Sequence, residues 1–152
     1  MTDYHDLLCR MDALIQDIPY ETANLANISA LLWDALPDIN WAGFYKLTDG
    51  ALVLGPFQGK PACIRIPLGR GVCGRAAAEG KIQRVENVHE FPGHIACDSA
   101  SNSEIVLPLY RDGALFGVLD IDSPQVSRFT REDQAGLDKI AGRISQALPG
   151  WR

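Results

Sequence analysis

Ser103-Glu104-Ile105-Val106-Leu107-Pro108-Leu109-Tyr110-Arg111-Asp112-Gly113-Ala114-Leu115-Phe116-Gly117-Val118-Leu119-Asp120-Ile121-Asp122 is the stretch whose reading decides the fold. Two apolar, alternating runs, Ser103 to Tyr110 and Ala114 to Asp122, flank a turn at Arg111-Asp112-Gly113, and Ser123-Pro124 closes the second run. That is the pattern of a β-hairpin. With a three-residue loop and Gly113 in the left-handed bulge position, Tyr110 faces Ala114. Glu104 then pairs with Asp120, Val106 with Val118, and Pro108 with Phe116. One face carries Ile105, Leu107, Leu109, Leu115, Leu119 and Ile121. A two-residue turn at Asp112-Gly113 would slip the register by one and mix the polar and apolar sets, so the three-residue turn is the expected one.

The hairpin gathers the carboxylates Glu104, Asp120 and Asp122 at one end of one face. Like charges opposed across a sheet repel, and clustered carboxylates raise one another's pKa. A raised acid can donate a proton near neutrality, and an ionised one can bind an ammonium group. A solvated strand end would carry the same residues. Position after a long loop favours a site over that alternative.

That loop covers residues 86–102, where Pro92, Gly93 and a Ser/Asn cluster replace any periodicity. Loops this long inside a small domain are usually functional. It holds Cys97, bedded in His94-Ile95-Ala96-Cys97-Asp98-Ser99-Ala100-Ser101-Asn102-Ser103-Glu104, with little bulk over the thiol and backbone N–H groups beside it. The bland reading is a small buried hydrophobe. The sharp one is a reactive thiol.

Further out, residues 4–18 and Thr22 to Leu36 have the apolar spacing of amphipathic helices, ended by Pro19 and Pro37. Cys9 falls on the polar face of the first. Trp41 to Leu47 and Ala51 to Leu54 read as strands joined at Asp49-Gly50. Gly55 to Pro61 reads as a loop and Cys63 to Ile66 as a short strand. Gly71-Val72-Cys73-Gly74 opens a helix that ends at Gly80, and Ile82 to Val85 is another strand. A last helix carries Leu137, Ile140, Ala141, Ile144 and Leu148, with a capping-box-like Thr130 and Asp133 at its start. Helices, then strands with one helix inserted, then a hairpin and a closing helix give an α+β fold: a central antiparallel sheet with N- and C-terminal helices packed on it. Trp41 and Tyr45 share a strand face across Gly43 and could wall a small ligand or simply fill core. Cys73, near a helix N-terminus, is placed for thiolate stabilisation by the helix dipole.

The chain has 152 residues, enough for one domain spanning 1–152. A formal charge of -5 argues against nucleic acid or an anionic membrane as the main partner. No apolar run approaches the roughly 20 residues of a membrane helix, and the acidic N-terminus lacks a signal-peptide pattern. The expectation is a cytoplasmic, reduced protein, in which four cysteines do not form a static disulfide framework. Cys63, Cys73 and Cys97 contain no C-x-x-C pair, and with His89 or His94 they match no recognised zinc spacing. No metal is expected. Redox or nucleophilic thiol chemistry remains.

Trp41-Ala42-Gly43-Phe44-Tyr45, Gly55 through Cys63, Gly71-Val72-Cys73-Gly74, His94 through Glu104 and Gly117 through Pro124 together closely resemble the free methionine-(R)-sulfoxide reductase family, a stand-alone GAF domain. The resemblance covers roughly residues 20–148, with all three family cysteines present. It implies an oxidoreductase acting on free L-methionine (R)-S-oxide, with no bound cofactor. By that resemblance Cys97 is the nucleophile and becomes a sulfenic acid, Cys63 is the resolving thiol that condenses to a disulfide, and thioredoxin reduces it. Cys73 is the rival nucleophile. Glu104, Asp120 and Asp122 would polarise the sulfoxide and hold the ammonium, with the division of roles open. Trp41 and Tyr45 would enclose the S-methyl end. A homodimer is one assembly left open. Two other readings stand against this one: a GAF sensor that binds a small ligand without catalysis, and a thiol redox switch. Neither requires the cysteine triplet together with the acid cluster and aromatic wall.

Overall fold

A computed structural model of the chain describes residues 1–94 and 100–152. Its centre is a six-stranded sheet in the order β3-β2-β1-β6-β5-β4, antiparallel at every pairing, with β1 at Trp41–Thr48, β2 at Ala51–Gly59, β3 at Arg65–Pro67, β4 at Gln83–Val85, β5 at Ser103–Arg111 and β6 at Ala114–Ser123. Alternation assigns the two faces. Ala42, Phe44, Ile105, Leu107, Leu119 and Ile121 point to one side, where α1 (Tyr4–Ile15), α2 (Glu21–Ala35) and α4 (Arg131–Ala147) close the larger core. Trp41, Tyr45, Val106 and Val118 point to the other, under the short helix α3 (Gly71–Glu79).

The three long helices are buried along most of their predicted stripes: Leu7, Met11 and Ile15 of α1, Leu25, Ile28 and Leu32 of α2, and Leu137, Ile140 and Ile144 of α4. Leu14, expected on the first stripe, is exposed, and so is Ile18, because α1 ends at Ile15 and not at residue 18. Thr130 and Asp133 form the complete reciprocal capping box. Tyr4 donates from its hydroxyl to the Asp133 carboxylate, tying the first helix to the start of the last. Among the described residues no helix is long and apolar enough to cross a membrane.

The hairpin corrects one expectation. Its turn has two residues, not three: Arg111 pairs with Ala114, and Asp112 and Gly113 take φ values of 52° and 81°, the double left-handed geometry of a type I′ turn. The face separation survives because an irregularity follows at once. Tyr110 pairs with Leu115, yet Leu109 pairs with Gly117, so Phe116 is the extra residue of a bulge. The bulge adds back the one-residue shift. Glu104 therefore pairs with Asp122 instead of Asp120, and Val106 pairs with Asp120 instead of Val118. Past the bulge, Phe116 joins the large core and Leu115 packs on the opposite cluster, the reverse of the expected assignment for Leu115.

Strand β2 also runs further than predicted, through Gly55 and Pro56 to Gly59. The pairing steps from Tyr45–Leu54 to Gly43–Phe57 across an irregularity, which absorbs the proline. β3, in turn, starts at Arg65, so Cys63 lies in the connection before it.

Gly117 allows β1 to lie against the bulged strand, because a Cβ there would collide with the Tyr45 carbonyl oxygen and approach Lys46 Cα at 2.9 Å. Both obstacles are backbone and cannot rotate away. Gly117→Ala is expected to cost about 2 kcal/mol, seen as a fall of roughly 4–8 °C in the thermal midpoint. A midpoint within one degree of wild type would show that β1 and β6 can separate there without loss.

Candidate active site

The register builds the site row by row. On the α3 face, Trp41 pairs with Asp122 and Asp122 with Glu104. In the next row Gly43 pairs with Asp120 and Asp120 with Val106, and beyond it Tyr45 pairs with Val118. The acids occupy two adjacent rows, and Gly43 makes room for Phe57, whose Cα would lie 2.7 Å from a Cβ at position 43. Trp41 stacks on Tyr45 at 5.8 Å and on Phe57 at 5.1 Å between ring centroids. The polar tips of the wall point outward: Trp41 Nε1 donates to the Lys60 carbonyl at 3.1 Å, and Tyr45 donates from its hydroxyl to the Cys63 carbonyl at 2.8 Å. The aromatic wall thereby fixes the backbone of Cys63 at the rim.

A cavity of about 50 Å³ opens over this surface, room for a few water molecules. Trp41, Tyr45, Cys73, Glu104, Asp120 and Asp122 all line it. The structure therefore brings six of the eight predicted site residues to one space, five from strands of the sheet and Cys73 from α3. Cys63 packs at the edge of the same cluster and is disulfide-bonded, whereas Cys9 and Cys73 are free thiols. Cys97, the predicted nucleophile, lies outside the described residues.

Lining residues not assigned to the site from the sequence are Arg70, His94 and Ser101, which are polar, and Ile66 and Val72, which are apolar. Phe57 was missed because Gly55-Pro56 masked the continuing strand. Its signal was the aromatic residue at strand spacing after Leu54. His94 lies near His89, whose ring is 6.0 Å away. Partial burial, and then the His89 charge, lower its pKa, so it is neutral near pH 7. On the far side of the loop, Asn102 is pinned by its side chain to the Pro124 carbonyl at 2.7 Å and to His89 at 3.0 Å.

Burial dominates the electrostatics. Glu104 is 8% exposed and Asp120 5%. Desolvation, followed by the charge of Asp120, lifts the Glu104 pKa well above the usual carboxylate range. Desolvation and Asp122 do the same to Asp120. Groups this close titrate as a unit, and the unit retains protons at pH values where isolated acids are ionised. Asp120 Oδ1 is buried and has no hydrogen-bond partner among the described residues.

The same carboxylates correct the expectation for Cys73. It does sit in the first turn of α3, but it is buried, its Sγ lies 3.9 Å from Glu104 Oε2, and desolvation together with Asp120, Glu104 and Asp122 pushes the thiol pKa well up. Full burial beside three acids outweighs a helix-terminal partial charge. Cys73 is held as a thiol. Cys9 is exposed on α1, as its place on the helical wheel requires, with its sulfur 3.9 Å from His5 Nε2. Cys9→Ser is expected to leave turnover with a thiol reductant within about 20% of wild type, by the general tolerance of surface positions. Loss of turnover would place Cys9 inside the redox machinery.

The raised acids also set a pH dependence of stability. The folded chain binds protons at Glu104 that the unfolded chain releases above about pH 4.3, so this group's contribution falls as pH rises from there through the folded value. Glu104→Gln removes the ionisation. It is expected to match wild type near pH 4.5 and to be the more stable of the two at pH 8, measured by thermal or urea unfolding. A variant less stable than wild type at pH 8 would contradict the raised pKa.

The GAF domain family model matches residues 22–148. The free methionine-R-sulfoxide reductase of Escherichia coli (strain K12) is 57% identical over 145 residues, covering 95% of this chain and 88% of the relative. A structure of fRMsr of Staphylococcus aureus in complex with substrate superposes with a TM-score of 0.93 at 49% identity, covering 97% of each chain. The free methionine-R-sulfoxide reductase of Neisseria meningitidis in complex with its substrate also gives a TM-score of 0.93, at 42% identity over 97% of this chain and 89% of that one. Identity of this extent, on a matching fold, means that the chain is a single GAF domain and belongs to the free methionine-R-sulfoxide reductase family.

Proposed function

We propose that the protein reduces free L-methionine (R)-S-oxide to L-methionine with a thiol as the electron donor. The observation that carries this reading is the orphaned, buried Asp120 Oδ1 within an acid cluster that faces a stacked aromatic wall. A zwitterionic amino acid supplies the missing cation through its α-ammonium, and its S-methyl group suits the Trp41 and Tyr45 faces. A peptide-bound residue has a neutral amide in place of the ammonium and would leave the buried charge uncompensated.

In the proposed chemistry the Cys97 thiolate attacks the sulfoxide sulfur. A carboxyl kept protonated by burial in the Glu104, Asp120 and Asp122 cluster donates to the sulfoxide oxygen. Oxygen passes to the cysteine sulfur, which is oxidised by two electrons to a sulfenic acid as methionine is released. Cys63 then displaces water to give a Cys63–Cys97 disulfide, and a thioredoxin-class dithiol reduces it by exchange. The disulfide-bonded state of Cys63 supports a redox role for its sulfur. The raised thiol pKa of Cys73 supports Cys97 over Cys73 as the attacking sulfur. No bound metal or organic cofactor enters these steps. We further assign the chain to the cytoplasm, where such a dithiol is available.

The reading is tested by incubating the enzyme with each free diastereomer and dithiothreitol and quantifying methionine. Product from the (R) form alone is expected. Product from the (S) form, or from neither, would refute it.

A further inference from the structure

We propose that Cys73, Glu104 and Asp120 form a binding site for a thiophilic divalent cation of the zinc class, which occupies the substrate pocket and so inhibits the enzyme. Inhibition rests on the substrate assignment above; the cation site itself does not. The donor atoms of these three residues, one thiol sulfur and two carboxylate oxygens, all lie within 4.8 Å of one another, and all three residues are buried. The Cys73 Sγ to Glu104 Oε2 separation is 3.9 Å. A tetrahedral zinc site with Zn–S and Zn–O bonds of about 2.3 and 2.0 Å places sulfur and oxygen about 3.5 Å apart, so side-chain adjustments of under about 1 Å would close the site.

Two features go beyond a mere acid cluster. Asp120 Oδ1 is buried with no hydrogen-bond partner among the described residues, an unused donor atom beside the sulfur. The adjoining cavity of about 50 Å³ has room for a water or hydroxide as fourth ligand. The donor set also selects the ion. A thiolate favours zinc-class over hard cations, whereas carboxylates alone would accept magnesium or calcium. Binding exchanges the Cys73 thiol proton for the metal, with the proton leaving to solvent. The ion and the substrate ammonium compete for the same Asp120 oxygen.

Cobalt(II) serves as the spectroscopic probe. A full-length variant with Cys9→Ser, Cys63→Ser and Cys97→Ser retains Cys73 as its single thiol. It is expected to bind one cobalt(II) with thiolate-to-cobalt charge-transfer absorption in the near ultraviolet. Zinc should displace the cobalt stoichiometrically, and magnesium in thousandfold excess should not. Adding Cys73→Ser should remove the charge-transfer band. In the single-thiol background Glu104→Gln, a near-isosteric change that keeps the sulfur, should weaken cobalt binding at least tenfold. Absence of the band in a variant with native circular dichroism would overturn the site, as would a band that survives Cys73→Ser or equal displacement by magnesium. Free L-methionine (R)-S-oxide should displace the cobalt. A band that it fails to displace would keep the cation site and overturn its overlap with the substrate pocket.

Discussion

Cys97→Ser is expected to abolish methionine release even in the first turnover, while Cys63→Ser still releases about one equivalent before stopping. Attack on the sulfoxide needs a single thiolate; recycling needs two sulfurs able to meet. Without a sulfur at 97 no sulfenic acid forms. Without one at 63 the sulfenic acid forms and then waits, so steady-state turnover with thioredoxin falls. Cys73 substitutes poorly, because three carboxylates and full burial keep it protonated. The measurement is methionine counted per enzyme in a single-turnover experiment without reductant, on the Cys63, Cys73 and Cys97 single variants. A full burst from Cys97→Ser together with none from Cys73→Ser would exchange the roles of those two cysteines.

The second large effect belongs to Asp120. Asp120→Asn keeps shape and hydrogen-bonding capacity but removes a carboxyl whose ionised form a bound substrate ammonium would stabilise. Losing one partner of a buried, hydrogen-bonded charge pair costs about 2–5 kcal/mol, a fall in kcat/KM of roughly 30-fold to several-thousand-fold by the factor of ten per 1.4 kcal/mol. The fold should tolerate the change and gain stability above neutral pH, because a buried like charge disappears from beside Asp122. Activity and stability thus move in opposite directions, which separates a binding defect from an unfolded enzyme. A kcat/KM within threefold of wild type would remove Asp120 from the ammonium site.

Most of the fold could be read from periodicity. The stripes of α1, α2 and α4 are long, and each contacts the core along the residues that the 3.6 period selects. Trp41 and Tyr45 share a face because two residues of strand separate like sides, whatever the strand pairs with. The hairpin turn was not legible to the same degree. Asp112-Gly113 fits a two-residue turn on its own chemistry, and segregation of polar from apolar residues argued for three. Both demands are met by a bulge at Phe116, and one inserted residue leaves little trace in composition. Gly117, forced by the approach of Tyr45, was the available sign.

The site was legible as a set of residues and not as an arrangement. The sequence places Cys73 at the start of a helix, where a dipole favours thiolate. What reverses that effect is the packing of α3 over Glu104 and Asp120, which belong to two strands that only the sheet order brings beneath it. Likewise, nothing local in Trp41-Ala42-Gly43 indicates that Trp41 will pair with Asp122 and Gly43 with Asp120. Long-range register decides those neighbours. The burial that raises the carboxylate pKa values is a property of the assembled sheet and helix together.

Recognition of a free amino acid sulfoxide by its ammonium group, and its reduction through thiols, are tested most directly by a thioredoxin-coupled assay of NADPH consumption on free L-methionine (R)-S-oxide and on its N-acetyl derivative, at matched concentrations and with the same enzyme. Turnover of the free compound, with the acetylated one slower by at least a hundredfold, is the expected result. Equal rates on the two compounds would contradict the assignment of the acid cluster to the ammonium group.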